Sequence, residues 1–308
     1  MKEEEFLSVI KSVIGDKYIG DDCAYLSDLG LVVSQDSLVE DVHFKRSYMT
    51  PCQLGYKSAM VNISDIAASG GRCRYITVAL SLPKDITSDF IKDFYEGLNS
   101  ALQECGDIEI IGGDITGADK IMISVTVIGT DKGRKISSRA NAKSGQVIVT
   151  SGIHGSSAGG LKLLMSGKMN PKLVNAHICP EAQVVFGAKI SEKIKEDYAM
   201  MDTSDGLADA LLKIAQSSDK TLVVDFDKIK YDSDLKEYFP SDYKDLILYG
   251  GEDYQIIATI PEELAKELDL ANCIIGYVTD KKDYPVCIKN YDGKDITLNP
   301  ENCFNHFS

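Results

Sequence analysis

The stretch Ala59 to Gly71 carries a carboxylate where its neighbours ask for burial. It reads Ala-Met-Val-Asn-Ile-Ser-Asp-Ile-Ala-Ala-Ser-Gly-Gly, a run of apolar and small residues that predicts a packed helix, with Asn62, Ser64 and Asp65 in its middle. An ionised group buried without a partner is costly, so Asp65 must face solvent, a cation or a hydrogen-bond donor. Three other places set aspartates beside small residues or at the end of an apolar run: Gly20-Asp21-Asp22, Val32-Val33-Ser34-Gln35-Asp36 and Ile110-Ile111-Gly112-Gly113-Asp114. Carboxylates at strand ends and in tight glycine turns are free to converge. Converging carboxylates need Mg²⁺ or another hard cation between them.

Further along, Asp202-Thr203-Ser204-Asp205-Gly206 follows an apolar run and opens a helical one. Ser204 or Asp205 reads equally as a helix cap or as a ligand, and two carboxylates three positions apart can hold one cation from the same turn. Gly250-Gly251-Glu252-Asp253-Tyr254 places acids before an apolar strand, where a solvated turn is the plain alternative. His43, between Val42 and Phe44, reads as a satisfied structural histidine or as a substrate contact. Arg139 is a surface charge or a clamp on phosphate, for which a planar fork is suited. The loop 151–160, rich in Gly and Ser, could cradle phosphate on free N–H groups at a helix start, though it lacks both the P-loop ending and the dinucleotide spacing. A plain tight turn is its alternative.

These residues need a scaffold, and 308 residues predict two domains rather than one core. A net charge of −14 argues against a nucleic-acid surface, which would need Lys and Arg against phosphates. It leaves room for a small phosphorylated ligand if a divalent metal carries the positive charge. Eight cysteines are scattered from Cys23 to Cys303 with no CxxC pair, which predicts reduced thiols. The acidic start and the lack of any run of roughly 18 apolar residues predict a cytoplasmic chain with neither a secretory leader nor a membrane span.

Helical spacing of Phe6, Leu7, Ile10, Val13 and Ile14 predicts a short opening helix ended by Gly15. Strands are expected at 31–34, 42–44, 75–82, 108–111 and 121–130. Helices are expected from Thr50-Pro51 to Gly70-Gly71 and from Thr87 to about Cys105. This is an α+β pattern with helices on one side of a sheet. The polar segment 131–145 is the expected linker. A second α/β layer follows, with strands at 146–150, 198–201, 222–225, 254–260 and 273–278. Its helices are expected after loop 151–160, over 181–194, and from Gly206 to Ser217.

Taken in order, the segments Gly20-Asp-Asp22, Ser34-Gln-Asp36 through Val-His43-Phe44, Val61-Asn-Ile-Ser-Asp65, Gly112-Gly-Asp114, Ser138-Arg139, Asp202-Thr-Ser-Asp205-Gly, Gly250-Gly-Glu252-Asp-Tyr254 and Phe304-Asn-His-Phe307 resemble the thiamine-monophosphate kinase family, within the superfamily of aminoimidazole ribonucleotide synthetase. The resemblance spans nearly the whole chain. It implies an α+β / α/β two-domain fold. Residues 1–137 would form an amino-terminal sheet domain that binds ATP and Mg²⁺ and dimerises, and 138–308 a carboxy-terminal α/β domain. Carried over by position, Asp22, Ser34, Asp36, Asp65, Asp114, Asp202 and Asp205 would be metal ligands. Gly113, Asp114, Arg139 and Ser204 would contact ATP, and His43, Glu252 and Phe304 the thiamine monophosphate. Gln35, Ile115 and Gly117 depart from the family's usual Thr, Thr and Arg.

The implied reaction is transfer of the γ-phosphoryl of ATP to thiamine monophosphate. A phosphate monoester is mostly dianionic at neutral pH and needs no general base. The obstacle is repulsion between two anions, which divalent cations relieve. Two superfamily activities are alternatives on the same nucleotide site. A selenophosphate synthetase would want a reactive Cys in an amino-terminal glycine loop and a hydrogenase-maturation protein a Cys at its end, whereas this chain has none before Cys23 and closes on Phe307-Ser308. A non-catalytic cation-binding module is the alternative of a different class, and predicts metal-dependent melting that ATP does not alter.

Overall fold

The structure is a computed structural model that describes residues 3–304. Its first part runs α1 (Glu3–Ile14), β1 (Ala24–Leu26), β2 (Leu31–Val39), α2 (Pro51–Ser69), β3 (Arg72–Leu82), α3 (Ser88–Cys105), β4 (Glu109–Gly117) and β5 (Met122–Thr130). The five strands form one sheet in the order β1-β2-β5-β3-β4. β4 is an edge strand parallel to β3, and all nine of its residues are exposed.

The second part runs β6 (Val147–Thr150), α4 (Ser156–Met165), α5 (Pro171–Ile178), α6 (Val184–Ser191), β7 (Ala199–Asp202), α7 (Leu207–Ser217), β8 (Lys220–Asp225), α8 (Ser233–Tyr238), α9 (Tyr243–Tyr249), β9 (Ile256–Ile260), α10 (Glu262–Glu267), β10 (Ile274–Asp280), β11 (Val286–Tyr291) and β12 (Lys294–Thr297). Its sheet has the order β12-β11-β8-β10-β6-β9-β7. The carboxy ends of β6 and β7 and the start of β9 share one end of this sheet, because β9 runs antiparallel to both.

Helix α2 joins the two parts. Thr50 and Gln53 close a capping box, with the Thr50 hydroxyl accepting from Gln53 N and the Gln53 side chain from Thr50 N at 2.9 Å. Such a cap stabilises by about 1 kcal/mol. Gly70, at φ +83, ends the helix where a side chain would meet Tyr198 Oη at 2.7 Å. From Leu54 to Ser69 every residue but Tyr56 is buried, because α2 packs at once on α3, the first sheet, α6 and β7. Contact with α3 is backbone to backbone. A Cβ on Gly55 would lie 1.9 Å from Phe94 O, and one on Gly97 1.8 Å from Cys52 O.

Three expected elements differ. Residues 42–44 form a turn rather than a strand, with Asp41 at φ +67 and His43 Nδ1 accepting from Val39 N at 3.0 Å. The expected helix over 181–194 is the shorter α6, and α5 precedes it, opened by Asn170 and Pro171. The hairpin β11–β12 was not expected. No described helix is long and apolar enough to cross a membrane.

Candidate active site

Asp22 in the turn before β1, Asp65 in the middle of α2 and Asp202 at the end of β7 each offer a carboxylate oxygen, and these oxygens lie within 4.8 Å of one another. Residues 180 positions apart therefore meet at one point, and the polar residues of α2 explain how. Asn62 Oδ1 accepts from Asp36 N at 2.9 Å, fixing β2 against the helix. Ser34 Oγ donates to Asp65 at 2.6 Å, and Ser64 Oγ to Asp202 at 2.6 Å. Ser204 N also donates to Asp202, at 3.2 Å. Asn62 and Ser64 are wholly buried, and each pins a different element to α2, Asn62 to β2 and Ser64 to β7.

The electrostatics of this cluster are unfavourable without a cation. Burial pushes the Asp22 carboxyl up to about 7, against Arg139, with Asp202 adding like charge. Burial pushes Asp36 up to about 6, with Asp202 and Asp205 adding to it. Asp65 is raised well above the usual range by burial and then by Asp36, Asp202 and Asp22. Asp202 is raised by burial despite its bonds from Ser64 and Ser204. Clustered carboxylate oxygens in a low-dielectric site are the donor set of a hard divalent cation.

Arg139, on the short 3-10 turn Arg139–Asn141, closes one side of the cluster. Its Nη2 lies 2.5 Å from Asp22 Oδ1, and its backbone N–H donates to Asp21 at 2.7 Å. Its Nε is buried with no hydrogen-bond partner among the described residues. Asp205 is turned towards Lys213 of α7, at 3.1 Å, and Lys213 also meets Asp209 at 2.7 Å.

A second cluster adjoins the first. Glu252 stands on the loop before β9, and its backbone N–H donates to Ser204 O at 2.7 Å. Its carboxylate meets Lys57 Nζ at 2.9 Å and His177 Nδ1 at 3.3 Å. Burial raises the Glu252 carboxyl, but Lys57, His177 and a smaller contribution from His43 outweigh it and hold the carboxyl below its usual range. Neighbouring Asp253 turns the other way and fills the start of α4, accepting from Gly155 N at 2.5 Å and Ser157 N at 2.9 Å. The loop 151–160, which could have cradled a phosphate, is thus filled by an internal carboxylate. The helix start already has its anion, so the loop is a tight turn after all.

Not every expected ligand lies at the cluster. Asp114 and Gly113 are on β4, where Asp114 stands opposite Ala79, Ala79 opposite Ser124, and Ser124 opposite Ser37. Three strand spacings separate it from the Asp36 end of β2, about 14 Å. A Cβ on Gly113 would lie 1.9 Å from Val78 O, so glycine is needed there for close strand approach. Ser34 and Asp36 share one face of β2, while Gln35 points to the other and ties to Ser124 and Thr126 of β5 at 3.2 and 2.9 Å. Phe304 is exposed, and the rest of the closing motif, 305–307, lies outside the described residues. Sequence reasoning missed Lys57, His177, Lys213 and the role of Asp253. Only Lys57 left a signal, a lysine in an otherwise uncharged stretch of α2.

Residues 20–130 match the family of AIR synthase related proteins, N-terminal domain. Over 311 aligned residues the chain is 37% identical to the thiamine-monophosphate kinase of Bacillus subtilis (strain 168), covering 95% of this chain and 94% of that one. It is 35% identical to the thiamine-monophosphate kinase of Aquifex aeolicus (strain VF5), covering 83% and 85%. The solved structure of AaThiL complexed with AMPPCP and TMP superposes with a TM-score of 0.88 at 32% identity, covering 99% of this chain and 97% of that one. With sequence and fold matched over nearly the whole chain, the chain belongs to the thiamine-monophosphate kinase family.

Proposed function

We propose that the protein transfers the γ-phosphoryl of ATP to thiamine monophosphate, giving thiamine diphosphate and ADP. The observation that carries this reading is the convergence of Asp22, Asp65 and Asp202, in a chain similar to a protein solved with AMPPCP and TMP. The acceptor phosphate is already a nucleophile, so the protein needs no general base. It must position two anions in line and offset their repulsion.

Asp22, Ser34, Asp36, Asp65, Asp202 and Asp205, joined by Asp114, would hold Mg²⁺, and the buried carboxylate oxygens fit such an ion. When bound, Mg²⁺ neutralises phosphate charge and stabilises the charge of the transferring group. The chain's own residues do the rest. Arg139, with Ser204, Gly113 and Asp114, orients ATP, and the fork of Arg139 is suited to phosphate oxygens. His43, Glu252 and Phe304 hold the thiamine end of the acceptor. His43 Nδ1 is engaged as an acceptor by Val39, which leaves Nε2 as its donor.

We read the active form as a cytoplasmic homodimer, with 1–137 as the dimerising domain and 138–308 as the α/β domain. β4 supports this. It is an open edge with Ile110, Ile111 and Ile115 exposed, a strand that asks for a cover. Pairing there is also the way for Asp114 of one copy to serve the acidic cluster of the other.

Incubation of the purified protein with ATP, thiamine monophosphate and Mg²⁺ tests the reaction, with products separated by chromatography. Thiamine diphosphate and ADP in equal amounts are expected. Absence of thiamine diphosphate at every Mg²⁺ concentration would end the reading.

A further inference from the structure

Lys57 is wholly buried, and His177 is 1% exposed, yet both point at a carboxylate whose side chain remains 23% exposed. Lys57 Nζ spans two partners, Glu252 Oε1 at 2.9 Å and the His177 carbonyl at 3.1 Å. The other Glu252 oxygen meets His177 Nδ1, which Ser157 Oγ also touches at 3.1 Å. Glu252 itself has φ +66, a left-handed conformation that is uncommon outside glycine and that its surroundings must impose. Its backbone is tied to Ser204 and its side chain to two groups behind it. One carboxylate is therefore held through both its backbone and its side chain, while 23% of that side chain stays exposed.

A buried ion pair is by itself weak grounds for stability, because an apolar pair of similar volume would often serve as well. The arrangement has a different consequence, which is that Glu252 is held to a single orientation. We propose that Lys57 and His177 are positioning residues for acceptor binding, fixing the Glu252 carboxylate against the donor face of thiamine monophosphate, its aminopyrimidine amino group or its thiazolium cation. Neither is among the residues assigned above to ATP or to the metal. The inference rests on the reading of Glu252 as an acceptor contact.

Steady-state kinetics on Lys57→Met, Glu252→Gln and the double variant test it, each first checked for folding by its melting temperature. Lys57→Met is expected to raise KM for thiamine monophosphate at least tenfold, with KM for ATP within threefold of wild type and kcat retained. The double variant is expected to be no worse than Glu252→Gln alone, because Lys57 acts through that carboxylate. An unchanged acceptor KM in folded Lys57→Met, an equal rise in KM for ATP, or penalties that multiply in the double variant would overturn the proposal. If Lys57→Met does not fold, the same comparison runs on His177. His177→Asn, which keeps a donor at the Nδ1 position, is expected to stay within threefold of wild type, and His177→Leu to lose acceptor affinity. Equal behaviour of those two would overturn it. A wild type that turns over no thiamine monophosphate sinks the kinase reading as well, so the two failures are distinguishable.

Discussion

Arg139 Nη2 sits 2.5 Å from Asp22 Oδ1, with both side chains largely buried, so the acidic cluster already carries one fixed positive charge of its own. That charge is not enough, since burial still leaves Asp22 raised to about 7. Breaking a buried pair by removing one partner costs about 3–5 kcal/mol. Arg139→Met should therefore melt several degrees below wild type in metal-free buffer at pH 8. Adding Mg²⁺ should narrow the gap, because the cation takes over the neutralisation of Asp22. Thermal melts with and without Mg²⁺ check this, and a gap that Mg²⁺ does not change would mean that Arg139 is only a structural partner.

Asp65→Asn should reduce turnover by at least about a thousandfold while leaving the metal-free melting temperature equal to or above that of wild type. Asp65 is raised by burial and by three neighbouring carboxylates, so removing its charge relieves repulsion. Sites arranged for function are commonly stabilised by such changes. Paired measurements of kcat and of metal-free melting decide it. A variant that loses stability and activity together would make Asp65 a structural residue.

Asp114 lies on the open edge β4, away from Asp22, Asp65 and Asp202 of its own chain. If a second copy supplies it, Asp65→Asn and Asp114→Asn are each inactive alone yet complement one another. Each mixed dimer would contain one intact site of two, so the purified mixed dimer should show about half of wild-type activity, and an unfractionated random mixture about a quarter. Co-expression with two different tags and purification of the mixed dimer gives the measurement. No recovery would place both residues in the site of one chain.

The metal dependence of stability should grow with pH. With folded values of about 7 for Asp22 and about 6 for Asp36 against an ordinary 3.8, the folded protein binds more protons than the unfolded chain between these values. Stability therefore falls as pH rises through that window, by on the order of 3–5 kcal/mol for Asp22 alone. Burial holds His154 and His177 down at about 4, an opposite effect that is lost as pH falls from 6.5 and that does not involve the cluster. The rise in melting temperature given by Mg²⁺ should thus be small at pH 5 and largest at pH 8. A Mg²⁺ effect independent of pH would contradict the assignment of these carboxylates as ligands.

Much of this architecture is written in local chemistry. Thr50-Pro51 and Gly70 delimit α2 because a capping box, a proline and a left-handed glycine each act within a few residues. The acids were legible as types, since glycines and strand ends leave carboxylates free to converge. What they meet was not. The loop 151–160 looks like an anion cradle until Asp253, about a hundred positions away, fills it. Residues 42–44 have strand propensity, but the bond from Val39 N to His43 turns the chain there. Lys57 gains its role only from Glu252 and His177, which come from a different sheet end and a different helix. Partners brought together by tertiary packing leave no periodic trace in the sequence.

The most direct test is a crystal grown with a non-hydrolysable ATP analogue and Mn²⁺ in place of Mg²⁺, measured for anomalous scattering. The account predicts Mn²⁺ peaks at bonding distance from the carboxylate oxygens of Asp22, Asp65 and Asp202, in contact with the nucleotide phosphates. Nucleotide and Mn²⁺ bound together elsewhere, with those three carboxylates free of metal, would contradict it.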